Sequence, residues 1–410
     1  MISKERATAI ALHFDEHGKD ATCRKFQIPE ETLNRYLRAY RKEVSPEDDS
    51  DLLVRVAASR QKLADINNGL RKENRESYRL YNSLETVYAE YVSLLKNSPF
   101  ASFDVPTHNT NSSTEKYGIL QLSDLHLNEL ISPNEASGNM YDFTVASKRL
   151  AKLVDEAKRL FRCYGVTKIL LAGTGDFINS DRRLSEKLAS ATSQVRACLL
   201  ATYLVQQVII DLAQEFSVSV AMVVGNESRI GDDDFESADV LVANNWDYMI
   251  FQQLRILFSG KDVEFIEASN FTKQIVTLDN GFNVLLLHGN LMKGANSDRQ
   301  MATIVQQYVM QGIPIHMILC GHIHSASIGD YISRSSSLCG ANAFSANDLG
   351  CISRASQNIY IVNSDMGYHG MKIDLQHTDG YVGYNIIEEL ERYNVKSALA
   401  NTRVTIETLN

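Results

Sequence analysis

The sequence predicts an α/β fold, an α+β sandwich, preceded by a helical N-terminal head and a coiled-coil stalk. Three observations predict it. From Tyr117 onward, short apolar runs (YGILQLSD, TKILLAGTGD, VSVAMVVGNE, FNVLLLHGN and HMILCGHIH) alternate with stretches of helical spacing. A run apolar throughout and closed by polar residues is the pattern of a strand buried on both faces. Residues 51–97 carry a heptad pattern, and residues 1–44 carry short helical patterns separated by turn signals.

The head spans residues 1–44. Lys4 to Glu16 has helical spacing and Gly18 ends it. A short helix then holds Ala21 to Phe26, and a tight turn falls at Gln27 and Ile28. Pro29 opens a second helix, with Glu30 and Glu31 at its positive end. Leu33, Tyr36, Leu37 and Tyr40 form its inward face. Arg35, Arg38 and Lys42 fall on the outer face with Arg41 beside them, so the head reads as a helix-turn-helix whose second helix is offered to a DNA groove. A helical cap with a solvated basic face is the plainer alternative.

The stalk, residues 51–97, places Val56, Leu63, Leu70, Leu84 and Tyr91 at one core position and Ile66, Leu80, Val87 and Leu94 at the other. Ser59, Glu73 and Ser77 interrupt a seam that is otherwise coiled-coil-like. Self-association through it would give a helix-turn-helix two half-sites. Residues 98–115 read as a polar linker, 116–380 as the α/β domain and 381–410 as a C-terminal tail. Within the domain, helices are expected over Thr144–Tyr164, Ser185–Phe216 and Ser297–Gln311.

Bulk properties narrow the function classes. A 410-residue chain, 44% hydrophobic and 22% charged, is neither disordered nor fibrous. The net charge of −9 leaves nucleic-acid binding to a local basic patch. Cys23, Cys163, Cys198, Cys320, Cys339 and Cys351 are scattered without close pairs, which excludes a CxxC metal site and fits reduced thiols in a cytoplasm. Asp15 and Glu16 interrupt the only leader-like stretch, so no signal peptide is expected. No apolar run approaches the ~18–20 residues of a membrane span, so no membrane partner is expected.

The chemistry lies where the apolar runs end. Asp124 and His126 follow the first, Asp176 the second, Asn226 and Glu227 the third, His288 the fourth, and His322 and His324 the fifth. That edge is where open α/β sheets place their sites. Several imidazoles with carboxylate and one amide oxygen suit borderline divalent ions such as manganese, iron, zinc or nickel; calcium would want oxygen almost throughout.

The series DLH, GD, GN, H and GHIH resembles the calcineurin-like metallophosphoesterase family over roughly residues 117–375. The segment order is similar to phosphoesterases encoded by phages and prophages, which would put the protein in a bacterial host cytoplasm. The resemblance implies two divalent ions, manganese first among them and magnesium also possible. Asp124, His126 and His324 would hold one, Asn226, His288 and His322 the other, and Asp176 would bridge them. The glycines at 175, 225, 289 and 321 would let the backbone turn beside the metals.

One departure stands out. The family's third motif continues with His, whereas here Gly225-Asn226 runs into Glu227-Ser228-Arg229. Glu227 would serve as general acid only if burial raised its pKa, and adjacent cations push the other way. His369 could instead reach in, or the site turns over slowly. Arg229 follows the motif directly and could face a phosphate; Arg182, Arg183, Lys293 and Arg299 also follow metal motifs, each reading singly as a solvated surface charge and collectively as phosphate contacts. The Ser- and Asn-rich stretch SSSLCGANAFSANDLGCISRASQN is expected to be a substrate-facing loop or an ordinary surface insertion.

Head, stalk and site together predict a phosphodiesterase or nuclease acting on DNA by water attack at phosphorus, with Asp176, Asn226, Glu227 and Arg229 nearest the chemistry. A phosphomonoesterase or small-diester hydrolase is the enzyme alternative, and a DNA-binding regulatory protein with a low-activity site is the other.

Overall fold

The computed structural model describes residues 4–43, 61–62, 65, 86, 88–108, 116–133, 138–230, 244–290, 297–342 and 353–399. The chain divides into two compact units, residues 1–90 and 91–410.

In the first unit, α1 (Lys4–Phe26) is two helical pieces joined at Gly18, whose φ of 77° breaks the helix. Gln27 (φ 52°) makes the turn into α2 (Glu30–Glu43). Ala7, Ile10, Ala11, Thr22 and Leu33 are buried between them, whereas Tyr36, Leu37 and Tyr40 are only half-buried. Arg35 and Arg38 are exposed on α2, which also carries Arg41 and Lys42.

Most heptad positions of the stalk lie outside the described residues. Of those within, Tyr91 and Leu94 belong to the second unit; Tyr91 packs beside Cys198 and Gln253, and Leu94 is exposed. The compact domain therefore begins before the expected linker. Part of that linker is also pinned down: Phe100 and Phe103 pack against the core, His108 bonds the Ala213 carbonyl at 2.8 Å, and Lys261 reaches the Phe103 carbonyl at 2.5 Å.

The second unit is a two-sheet sandwich. One sheet has the order β11-β10-β1-β2-β3-β4: β1 (Lys116–Leu122), β2 (Lys168–Gly173), β3 (Ser217–Met222) and β4 (Val263–Phe265) run parallel, while β10 (Ser356–Asn363) and β11 (Tyr368–Asp374) are antiparallel additions. The other has the order β5-β6-β7-β9-β8, from Lys273–Thr277, Asn283–Leu287, Met317–Cys320, Ile332–Arg334 and Ser327–Ile328 respectively.

Alternate residues of each central strand enter different cores. Ile119, Leu170, Val284, Leu286 and Leu319 meet between the sheets. Leu120, Leu122, Ile169 and Leu171 face the helices Phe143–Tyr164, Gln194–Ala213 and Trp246–Leu257. Leu285, Leu287 and Ile318 face the helix Ser297–Val309. Burial on both faces explains the unbroken apolar runs. A polar seam crosses this interior: the Tyr360 hydroxyl donates to Gln121 Oε1 (3.0 Å), and Gln121 Nε2 donates to the Cys320 carbonyl (2.8 Å), joining β10 and β1 to β7.

The helix expected over Ser185–Phe216 is two, Leu184–Leu188 and Gln194–Ala213. The second is long and apolar enough to cross a membrane by length and composition, contrary to the sequence expectation; 61% of its apolar window is buried inside the domain as a core helix.

Candidate metal centre

The strand ends place the site on one edge shared by both sheets. Asp124 and His126 follow β1, Asp176 follows β2, Asn226 follows β3, His288 follows β6, and His322 and His324 follow β7. Each motif turns at once into the cleft, and the backbone shows it: Asp124, His126, Asp176, His322 and His324 all have positive φ, between 46° and 70°. Asn, Asp and His are the non-glycine residues that tolerate this region best.

Two triads result. Asp124, His126 and His324 form one, and Asp176, His288 and His322 the other; within each, the donor atoms all lie within 4.8 Å of one another. The seven residues expected from sequence are thus brought together, with Asn226 Oδ1 3.0 Å from His288 Nε2. Asp124, Asp176, His126 and His288 are almost wholly buried.

Proton bookkeeping shows what this arrangement fits. His288 Nδ1 lies 2.8 Å from the Thr174 carbonyl, which only accepts, so Nδ1 carries the proton of the neutral ring. Nε2 then turns a lone pair toward Asp176 Oδ2 at 2.9 Å and Asn226 Oδ1 at 3.0 Å. Asp176 Oδ2 is buried, with His288 Nε2 as its ion-pair partner. In the other triad, His126 Nδ1 lies 3.1 Å from Asn179 Oδ1, and Nε2 faces His324 Nε2 at 2.9 Å, itself 3.3 Å from Asp124 Oδ1. With the rings neutral these nitrogens and oxygens would turn their lone pairs toward one another, and this nitrogen–oxygen mix fits borderline divalent ions.

The electrostatics agree. Burial opposes ionisation of Asp124, but His324 more than offsets it and holds the carboxylate below its usual range. Burial likewise opposes charge on Asp176, and His288 holds it far down. Burial disfavours a charged His288, yet Asp176 carries it up to about 10. His322, desolvated and beside His288, falls to about 4. The pocket demands positive charge, and imidazolium supplies it when no ion is bound.

Around the triads sits a fixed scaffold. Asp176 Oδ1 accepts from the Glu227 amide (2.7 Å), and Asp124 accepts from the His322 amide (3.0 and 3.1 Å). Asn226 Nδ2 donates to Glu227 Oε1 at 2.5 Å, which turns Asn226 Oδ1 toward His288. Glu227 Oε2 accepts from Arg182 at 3.2 Å, so both its oxygens receive donors. Arg229 Nε is bonded to the Asn226 carbonyl at 3.1 Å. Arg183 and Arg299 are exposed, and residue 293 lies outside the described residues. His369 does not reach the site; it sits on β11 paired with Ile361, its ring 5.8 Å from that of Tyr164.

The Ser-rich stretch expected to be a loop is in part scaffold: Ser335 to Ala341 are buried, and Leu338 N bonds the Asp124 carbonyl at 2.9 Å. Fully buried Arg149 holds it through the Leu338 and Cys339 carbonyls (2.7 and 2.9 Å). Sequence reasoning missed this support and also Asn245 and Asp247, whose only signal is a helix-capping Asn-x-Asp ahead of an apolar helix.

The fold and the site define a two-sheet α/β domain with a paired His/Asp centre able to hold divalent metal ions. No family model matches the sequence, and no curated protein matches it. Solved structures do match. Vacuolar protein sorting 29 from Cryptosporidium parvum is 13% identical, with TM-score 0.28, over 64% of this chain and 100% of that one. The sulfate thiohydrolase SoxB of Thermus thermophilus is 12% identical, with TM-score 0.31, over 71% and 62%. Purple acid phosphatase PPD1 of yellow lupin is 10% identical, with TM-score 0.30, over 66% and 55%. These likenesses are weak, and the reading of the site rests on its own geometry.

Proposed function

We propose that this chain is a two-metal-dependent phosphoesterase, and specifically a phosphodiesterase that acts on DNA by water attack at phosphorus. The observation that carries the proposal is the pair of abutting triads, in which His288, His322 and Asn226 gather at Asp176 and His126 and His324 gather at Asp124. Asp124, His126 and His324 would hold one divalent ion, Asn226, His288 and His322 the other, and Asp176 both; manganese is the first ion to test. Such a pair of ions acidifies water and stabilises the attacking and leaving oxygens of an in-line displacement.

The chain's own residues do the rest. The Glu227 amide and the Thr174 carbonyl fix Asp176 and His288 in place. Glu227, engaged by Arg182 and Asn226, acts as an acceptor that orients Asn226 rather than as the general acid. Arg182 and Arg229 put two guanidinium groups beside the third motif, where a substrate phosphate would be drawn.

DNA is favoured over a small ester because the domain follows a helical head with exposed Arg35 and Arg38. Tethering a catalytic domain to a DNA-binding head raises the local substrate concentration. The phosphomonoesterase reading competes, and the metal centre suits both. With manganese, bis-p-nitrophenyl phosphate is expected to turn over faster than p-nitrophenyl phosphate; the reverse order would favour the monoesterase. Replacing Arg35 and Arg38 together by Ala should weaken DNA binding and reduce the log-affinity against log-salt slope by roughly 2, near one unit per lost phosphate contact. An unchanged slope would leave the head a helical cap.

Metal binding should also be proton-coupled. His288 sits above its unfolded value, so its ion pair with Asp176 stabilises the metal-free fold below pH ~6.5 and is lost as pH rises toward about 10. A metal must displace that proton. At pH 7.5, manganese binding is expected to release about one proton per chain and to tighten with rising pH. Titration calorimetry in two buffers of different ionisation enthalpy reads the release, and identical heats would refute it.

A further inference from the structure

Asp247 stands outside every motif, yet it is 1% exposed and sits under the metal centre. Its Oδ2 accepts from the backbone amides of both Asp176 and Gly225, at 2.9 Å each, and its Oδ1 accepts from Phe177 N at 3.0 Å. Asn245 completes the fitting: its Oδ1 caps Asp247 N at 2.8 Å, and its Nδ2 donates to the Gly225 carbonyl at 2.9 Å. One carboxylate at the start of the helix Trp246–Leu257 therefore ties the turn carrying Asp176 to the turn carrying Asn226.

We propose that Asp247, seated by Asn245, is a positioning residue that sets the separation between Asp176 and the Asn226 turn and so fixes metal affinity. The proposal rests on the two-metal reading above. The geometry leaves little freedom. Rotation of Asp176 about its backbone is limited by its amide bond to Asp247, and Gly225 cannot retreat while the same oxygen holds it. An Asn at 247 presents one oxygen and one NH2 to three amide donors. In its better orientation it keeps two bonds and sets NH2 against the Phe177 N–H; in the other it opposes two donors. Supporting groups of this kind typically change metal affinity by about 10–100-fold when altered.

The test uses the full chain, manganese titration calorimetry and the melting temperature of the metal-free protein. Asp247→Asn is expected to weaken manganese binding by about 10–100-fold. Asn245→Ser, which keeps a cap for the helix but cannot reach the Gly225 carbonyl, should weaken it by a smaller factor and decides the matter if Asp247→Asn does not fold. Asp142→Asn is the control. Asp142 is also a buried capping carboxylate with several donors (Val145 N 2.8 Å, Ala398 N 3.1 Å), but it serves the helix Phe143–Tyr164. It should lower the melting temperature and leave manganese affinity unchanged, as a purely structural role for Asp247 would also do. Wild-type affinity in both Asp247→Asn and Asn245→Ser overturns the inference while leaving the metal reading intact. Failure of the wild-type protein itself to bind manganese overturns the metal reading, and this inference with it.

Discussion

Asp176→Asn is expected to reduce manganese-dependent hydrolysis of bis-p-nitrophenyl phosphate by about 10³-fold, the equivalent of roughly 4 kcal/mol of transition-state stabilisation. The substitution changes no volume. Oδ1 must remain an oxygen because the Glu227 amide donates to it, so the new NH2 takes the place of Oδ2. That is the atom 2.9 Å from His288 Nε2. An amide nitrogen there offers no lone pair to an ion and removes a full negative charge. His288→Ala should fall in the same range, since it removes the imidazole fixed by the Thr174 carbonyl. Circular dichroism would establish that both variants fold. Turnover within tenfold of wild type in both would end the enzyme reading.

Gly321→Ala is the second large effect, from a single methyl group. A Cβ at 321 would lie 2.0 Å from Asp124 Oδ2 and 2.0 Å from Ser123 Oγ. Asp124 is fully buried and held by the His322 amide, so it has nowhere to go without dragging the first triad apart. Overpacking of this sort costs about 1–3 kcal/mol, and here the strain falls on a carboxylate of the candidate metal centre. The expected result is loss of tight binding of one manganese ion per chain with a lowered melting temperature. Gly260→Ala separates the causes: it has φ +80° and nothing within 4 Å of its missing Cβ. It should cost only the left-handed backbone penalty of about 1–2 kcal/mol and bind both ions normally. Normal metal binding by Gly321→Ala would contradict the packing argument.

The edge that carries the candidate metal ligands was legible because several buried strands are apolar runs that stop at an ionisable residue, as NVLLL stops at His288 and MILC before His322. Buried strands cannot carry ionisable residues cheaply, so charge appears only where the strand leaves the core. What escaped is support that comes from far along the chain. Asp247 reaches Asp176 from 71 residues away and Arg149 reaches Leu338 from 189. Neither bond leaves a periodic or local trace, because a lone buried polar residue on a helix looks like any surface one. The partner of Glu227, Arg182, is likewise 45 residues away, and nothing in the motif announces that contact. The Ser-rich stretch after His324 misled for a related reason: small polar residues suit a loop, and they equally suit a tightly hydrogen-bonded layer beneath Asp124.

The left-handed backbone at Asp124, His126, Asp176, His322 and His324 carries a wider implication. Each such residue holds the unliganded protein above its relaxed energy by about 1–2 kcal/mol, an amount glycine would release. Glycine would relax the backbone there and would at the same time delete the side-chain contacts gathered at the cleft.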